Sequence, residues 1–284
     1  MFFRRRQHQD SVHVTHVEQA NAFHRDIQPM QKELANTRNG LLIVDPRDFS
    51  ASRSLLTRGM YDRTAIEWLC RILADNSRIV FVGAHIGGLG VLIALKSGSR
   101  DIVAFEPSPT NHRLLSMNLA LNGLQAIEVH RVAAGDATGT VRFAHNPINS
   151  GNSRISAAGD IEVQARRLDD VLERYPSIDM LVLDTEGFEV HAMRGAGATL
   201  GKTGYFYVEY APDQLAEQGS RAEEFIDAAA EHFSSMYLPG EPVKFFPNKT
   251  FVAYLRELPP RRALLLNLLF ANDASPRPEL LGKA

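Results

Sequence analysis

Four glycines, four acids and three histidines carry whatever chemistry this sequence performs. Gly83, Gly87, Gly88 and Gly90 break the apolar run of "RIVFVGAHIGGLG" over 78–90. A buried strand that empties into such a turn brings bare main chain close to a ligand; the plainer alternative is tight strand–helix packing. Glu106 ends the next apolar run, "DIVAFE", 23 residues after Gly83. Its two coplanar oxygens suit the two hydroxyls of an adenosine ribose, the alternative being a charged strand end near a helix start. Asp184 ends "DMLVLD", with Glu186 and Glu189 just beyond it. An ionisable group closing an apolar strand beside a pocket is a site candidate, whereas Glu189 fits ordinary stabilisation by a helix N-terminus. Among His85, His112 and His191 no metal-ligand spacing such as H-x-x-x-H occurs, and His85 leads because it lies inside the turn. Turn and Glu106 together point to a nucleoside-containing ligand. Counted from Gly83, the second glycine of G-x-G-x-x-G falls on His85, and counted from Gly88 the third falls on Ile93. A nicotinamide-dependent oxidoreductase is therefore the weakest reading.

These residues need a sheet edge to meet on. Apolar runs at 78–83, 101–106, 127–133, 179–184 and 204–210 read as strands, and helical segments lie near 88–97, 109–122, 167–174 and 188–199. Strands apolar on both faces that alternate with helices imply a mostly parallel sheet covered on both sides. Residues 139–165 interrupt the rhythm with two β-like pieces around a polar loop, an insertion suited to substrate contacts. "GLLIVDPRDFS" reads as a strand and turn, and Asp62 as the cap of a helix reaching about residue 74. After a helix near 221–233, "SSMYLPG" and "KTFVAYLRE" read as a closing antiparallel pair. The predicted organisation is an N-terminal extension over 1–38, a catalytic domain over 39–258, and a C-terminal helix and tail over 259–284. Within that tail "ALLLNLLFA" (263–271) is too short to span a bilayer and reads as a docking helix, with a homodimer contact as the sharper alternative.

Composition sets outer limits. The chain has 284 residues, 44% of them hydrophobic, with 31 Lys and Arg against 33 Asp and Glu. A net charge of −2 provides no global field for nucleic acid or an acidic membrane surface, so any partner must be recognised locally. The single cysteine, Cys70, shares a helical face with Ile66, Leu69 and Leu73, which predicts a buried thiol and a reducing, cytoplasmic setting. The basic start has no apolar h-region after it, so no secretory signal is expected.

From Asp45 to Tyr210 the blocks "DPRDFSASRSLLTRGMYD", "FVGAHIGGLG", "AFEPSPTNHRLLSMNLALNG", "VHRVAAGDATGTVRF", "RLDDVL" and "LVLDTEGFEVHAMRGA" occur in an order and spacing that resemble the FkbM family of S-adenosylmethionine-dependent methyltransferases. The resemblance implies a Rossmann-like class I methyltransferase fold and O-methylation of a hydroxyl on a sugar or natural product. It implies S-adenosylmethionine contacts at Gly83, Ala84, His85, Gly87, Glu106, Pro107, Val132, Ala133 and Asp184. Asp184 leads as the group that positions or deprotonates the acceptor, with Glu186 and His85 behind it; no metal site is expected. In the family an aspartate usually stands two residues before the first glycine and a lysine two residues before the later aspartate, where this chain has Phe81 and Val182. His85 stands where the family usually has Asn. The alternative to an enzyme is therefore a binding or scaffold protein that keeps the sheet without turnover.

Overall fold

The computed structural model describes residues 32–38, 40–240, 242–258 and 263–272. A hairpin of β1 (Glu33–Thr37) and β2 (Gly40–Val44) precedes α1 (Ala51–Arg58) and α2 (Arg63–Leu69). Then follow β3 (Ile79–Val82), α3 (Gly90–Ser97), β4 (Ile102–Phe105), α4 (Pro109–Leu121) and β5 (Glu128–His130). The insertion supplies β6 (Ala133–Ala134), β7 (Gly139–Ala144), a 3₁₀ turn at Ser150–Asn152, β8 (Arg154–Ile155) and β9 (Ile161–Arg166). The chain continues with α5 (Leu168–Leu172), β10 (Ile178–Leu183), α6 (Glu189–Arg194), α7 (Gly197–Gly201) and β11 (Thr203–Tyr210). It closes with α8 (Pro212–Glu217), α9 (Ala222–His232), β12 (Ser235–Leu238), β13 (Lys244–Phe246), α10 (Phe251–Arg256) and β14 (Leu266–Ala271).

Eight strands make the main sheet in the order β13-β12-β14-β11-β10-β3-β4-β5. β11, β10, β3, β4 and β5 are mutually parallel, and β14, β12 and β13 extend the sheet in antiparallel fashion. β3 and β4 are buried at every residue because helices cover both faces. One face carries Phe81, Val182, Tyr207 and Leu269 against Leu55, Trp68, Val91 and Leu115; the other carries Val82, Phe105, Leu183 and Phe270 against Leu172, Val190, Phe225 and Phe251. The fold is a mixed α/β, Rossmann-like sheet, and its strand order reverses between β10 and β3, where such sheets open a crevice. The insertion forms its own four-stranded sheet, β6-β9-β7-β8.

The N-terminal hairpin is sewn to α4 by two amides. Asn118 accepts from the Ile43 N–H at 2.6 Å and donates to the carbonyls of Ile43 (3.2 Å) and Ile86 (2.8 Å). Asn122 accepts from the Leu41 N–H at 3.0 Å and donates to the Leu41 carbonyl at 2.6 Å. Both side chains mimic a neighbouring strand for β2 and thereby fix where residues 45–62 begin their run toward the sheet edge.

Four expectations are corrected. The segment at 263–271 is no docking helix: β14 inserts between β11 and β12, and an apolar run buried on both faces has the same composition in either state. "KTFVAYLRE" is helix α10, which buries Phe251 and Leu255 at helical spacing, and the hairpin partner of β12 is β13. The N-terminal extension predicted over 1–38 includes strand β1; its residues 1–31 lie outside the described residues. The run at 127–133 also divides, its first half closing the main sheet as β5 and its end starting the small sheet as β6.

Candidate active site

The carboxyl ends of β3, β4, β10 and β11, residues 61–62, the Val132–Ala134 stretch and the 3₁₀ turn enclose one cleft, with about 1250 Å³ of empty space including its open mouth. Glycine is obligatory at its base. At Gly83 φ is +83°, and a Cβ there would sit 1.7 Å from the Asp184 carbonyl oxygen. The turn is anchored by the Gly83 and Ala84 N–H groups, which donate to the Phe105 carbonyl at 3.0 and 2.9 Å.

Glu106 emerges from β4 beside this turn and is 4% exposed. One carboxylate oxygen accepts the His85 N–H at 2.8 Å and the other the Ser108 N–H at 2.9 Å. Burial nevertheless raises its pKa to about 7, against the lowering effect of these bonds. The Asn111 side chain adds a further lowering bond, and the carboxylate's four lone-pair sites still leave room for a hydroxyl donor. The His85 backbone that serves Glu106 is left-handed (φ 52°), as are Asp62 (φ 40°) and Glu186 (φ 55°) on the same cleft. Non-glycine residues held in this region cost about 1 kcal/mol each and concentrate where a site requires them.

A row of polar residues caps the strands of the parallel half. Asp184 follows Leu183, which pairs with Val82 on β3 and Val208 on β11, and Glu209 on β11 pairs with Asn267 on β14. Asp62 and Glu186 join them in lining the cleft. Asp184 is solvent-exposed by surface area, yet that surface lies within a deep concavity. Desolvation, then Glu189 and Asp62, push its pKa up to about 7. Desolvation and neighbouring acids push Glu186 up to about 8 and Glu209 up to about 9. Burial and the same acids raise the Tyr61 and Tyr207 phenols, which stay protonated as donors. Among the described residues Arg154 is the lone Arg or Lys lining the cleft, and it is paired with Glu217 at 3.1 Å. The cleft therefore gathers closely spaced acids that retain protons to near-neutral pH or above, with one engaged cation among them.

One row below lies an apolar floor. Phe81 is the direct cross-strand partner of Val182 and Ala104, and Val182 that of Tyr207. Phe81 is 3% exposed, and a Cβ on Gly90 would meet its ring at 3.3 Å. The two departures from the family pattern are thus cross-strand neighbours, and together they exchange a charged pair for an apolar one without leaving an unpaired buried charge.

The insertion is tied in by a polar chain through three segments. Asp48, 1% exposed, accepts from the Ser52 hydroxyl and the Ser50 hydroxyl, both at 2.7 Å, and from the Ser150 N–H at 2.9 Å. The Ser150 hydroxyl meets His85 Nε2 at 2.6 Å. Burial alone would raise Asp48; the bonds from Ser50, Ser150 and Ser52 outweigh it and hold the carboxyl below its usual range. Burial lowers His85 to about 4 despite Asp48 nearby, so its imidazole is neutral.

Of the residues singled out in sequence, Gly83, Ala84, His85, Glu106, Pro107, Val132, Ala133, Asp184 and Glu186 line the cleft. Gly87 does not. Its φ is +86°, and a Cβ there would meet Val91 and Leu115, so it serves packing between the turn and α3 and α4. Glu189 is buried and accepts the Thr185 N–H and hydroxyl at 2.9 Å, which organises the turn after β10. His191 stacks on Phe188 with centroids 4.2 Å apart and bonds the Gln218 carbonyl at 3.1 Å. His112 is not among the lining residues. Cys70 is half-buried, and burial raises its thiol pKa. Sequence reasoning missed Tyr61, Asp62, Ser150, Arg154, Tyr207 and Glu209. Glu209 carried the same signal as Asp184, an acid at the end of an apolar strand; Ser150 carried none locally. Among the described residues no helix is long and apolar enough to cross a membrane, and no group of three or more His, Cys, Asp or Glu is arranged to hold a metal ion.

Comparison with known proteins bears on this arrangement. Methyltransferase sdnD of Sordaria araneosa is 30% identical over 159 residues, 43% of this chain and 61% of that protein. The 2-O-methyltransferase NoeI of Sinorhizobium fredii (strain NBRC 101917 / NGR234) is 34% identical over 140 residues, 41% of this chain and 56% of that protein. The chain thus spans less than two thirds of the length of these relatives. The crystal structure of M. jannaschii TYW2 in complex with AdoMet is similar at a TM-score of 0.41 and 14% identity, covering 84% of each chain. Residues 82–235, from the end of β3 through the start of β12, match the Methyltransferase FkbM domain, and the chain belongs to that family.

Proposed function

We propose that the protein is an S-adenosylmethionine-dependent O-methyltransferase whose acceptor is a hydroxyl of a sugar or natural product. The observation that carries this reading is Glu106: a buried carboxylate, preset by the His85 and Ser108 N–H groups, at the edge of a cleft floored by the Gly83 turn. A carboxylate preset in this way has acceptor capacity left for a hydroxyl donor, and a ribose provides one. The cleft fits the rest of the cofactor in charge as well. Asp62, Asp184, Glu186 and Glu209 face one engaged Arg154, and a cluster of acids whose pKa values are raised by their neighbours is one that a ligand bearing a sulfonium and an ammonium would relieve. Pro107, Val132 and Ala133 supply apolar surface on the Glu106 side, where an adenine belongs.

When bound, the cofactor supplies an electrophilic methyl group on sulfur and leaves as a neutral thioether. The chain's own tasks are to align the acceptor and to take its proton. Asp184, with a pKa of about 7, is poised to accept a proton near neutral pH, and Glu186 stands next to it in the same turn. Such a base contributes roughly 10²–10⁴-fold. His85, neutral and bonded to Ser150, holds the insertion against the turn and is a positioning group. The "2-O-methyltransferase" in the name of NoeI supports oxygen as the accepting atom. The lone Cys70 fits a reducing, cytoplasmic setting.

The test is a panel of hydroxylated glycosides and secondary metabolites incubated with S-adenosylmethionine and scored by a mass gain of one methylene. Product that disappears with Asp184→Asn in a folded protein supports the reading. Folded wild-type protein that binds the cofactor and methylates nitrogen acceptors alone contradicts the assignment of oxygen.

A further inference from the structure

The floor beneath the glycine turn cannot receive an ammonium. Phe81, Val182 and Tyr207 stand side by side across β3, β10 and β11, and the first two offer hydrocarbon only. An α-ammonium entering this end of the cleft has no carboxylate on the β3 floor and needs one from another part of the lining. One wall of that lining is residues 61–62. The Tyr61 ring lies against Gly88, where a Cβ would meet it at 3.2 Å, so this wall closes directly over the turn that begins at Gly83. Tyr61 and Asp62 both line the cleft.

From this geometry we infer that Asp62 is the residue that binds the ammonium of the cofactor's methionyl end. Its backbone is left-handed, at φ 40°, and its carboxylate caps α2 by accepting the Ala65 N–H on Oδ1 at 3.0 Å. The cap uses one lone pair of one oxygen and leaves Oδ2 for a second donor. Asp62 is exposed, so its charge is not sequestered within the helix start. The charge reaches across the cleft, where it raises Asp184, Tyr207 and Glu209, and no described cation is bonded to it. The other carboxylates at the cleft have different work. Glu106 stands on the ribose side, Asp184 and Glu186 occupy the turn after β10, and Glu209 on β11, raised to about 9, carries a proton at neutral pH. A cap alone explains why an acid, Asn or Ser occurs at 62, but it does not explain why this cap is built into the lining of a cleft.

The inference rests on the S-adenosylmethionine reading, and the test separates the two. Titration calorimetry compares S-adenosylhomocysteine, which carries the ammonium, with 5′-methylthioadenosine, which keeps the nucleoside and thioether but lacks it. Asp62→Asn keeps a capping oxygen and removes the charge, and Asp62→Ser does the same with a different side chain. Both variants are expected to retain the wild-type melting temperature closely, to weaken S-adenosylhomocysteine by about tenfold as befits loss of a charged hydrogen bond, and to bind methylthioadenosine as wild type does. Wild-type protein that binds both compounds while both variants bind S-adenosylhomocysteine as tightly as wild type overturns the role of Asp62 alone. Equal weakening of both compounds also overturns it, because the residue then acts on the shape of the cleft. Wild-type protein that binds neither overturns the cofactor reading and this assignment with it.

Discussion

Phe81 and Val182 provide a quantitative test of whether this cleft is a compensated design or a damaged one. Introducing the family's charges one at a time places each in a buried apolar row. Phe81 is 3% exposed and Val182 3% exposed, and they are direct cross-strand partners. Phe81→Asp forfeits a core ring packed on Gly90, for which truncations cost about 3–5 kcal/mol, and it adds an unpaired buried carboxylate. The expected loss is about 5 kcal/mol or more, at least a third of the ~5–15 kcal/mol that holds a domain of this kind. Val182→Lys buries an ammonium stem in the same row at a cost of about 3 kcal/mol. In the double variant the two charges meet across adjacent strands, and a coupling of about 2–3 kcal/mol is expected to return part of the sum. Urea denaturation of the four proteins, with equal m-values as the check on two-state behaviour, measures that coupling. Additivity within about 0.5 kcal/mol would show that the side chains do not face one another and would refute the matched-pair reasoning.

Two further outcomes follow from the polar groups of the cleft. Glu106, Asp184, Glu186 and Glu209 are raised to about 7, 7, 8 and 9, so between their unfolded values and these the folded state binds more protons than the unfolded one. Stability of the ligand-free protein therefore falls as pH rises from 6.5 to 9. His85, lowered to about 4, has the opposite sign and costs stability only as pH drops below its unfolded value of 6.5. A melting temperature that climbs across pH 6.5–9 contradicts this. Ser150→Ala removes the hydroxyl between His85 and the Asp48-bonded turn, and the expected result is a loss of about 1 kcal/mol in stability with faster amide exchange in residues 145–153. Unchanged exchange there would show that the bond does not hold the insertion.

The parallel half of the sheet was legible because its strands are short apolar runs ended by Gly83, Glu106 and Asp184, and burial on both faces leaves that imprint in composition alone. The same imprint misled at 266–271, where a doubly buried strand and a buried helix share one composition. Gly87 looked like its neighbours in sequence, yet its lack of a side chain serves Val91 and Leu115. Asp62 had a sufficient local reason, the α2 cap, which hid its second face. The chain from Asp48 through Ser150 to His85 joins residues 102 and 65 positions apart, and no local pattern encodes such a contact.

Calorimetric titration of S-adenosylhomocysteine into wild-type and Glu106→Gln protein addresses the cofactor site itself. Gln keeps the shape at 106 but can no longer offer two acceptor oxygens, so affinity is expected to drop about 10–100-fold with the fold intact. Equal affinity of the two proteins, or a folded wild type that gives no heat, would contradict the reading of this cleft as an adenosyl site.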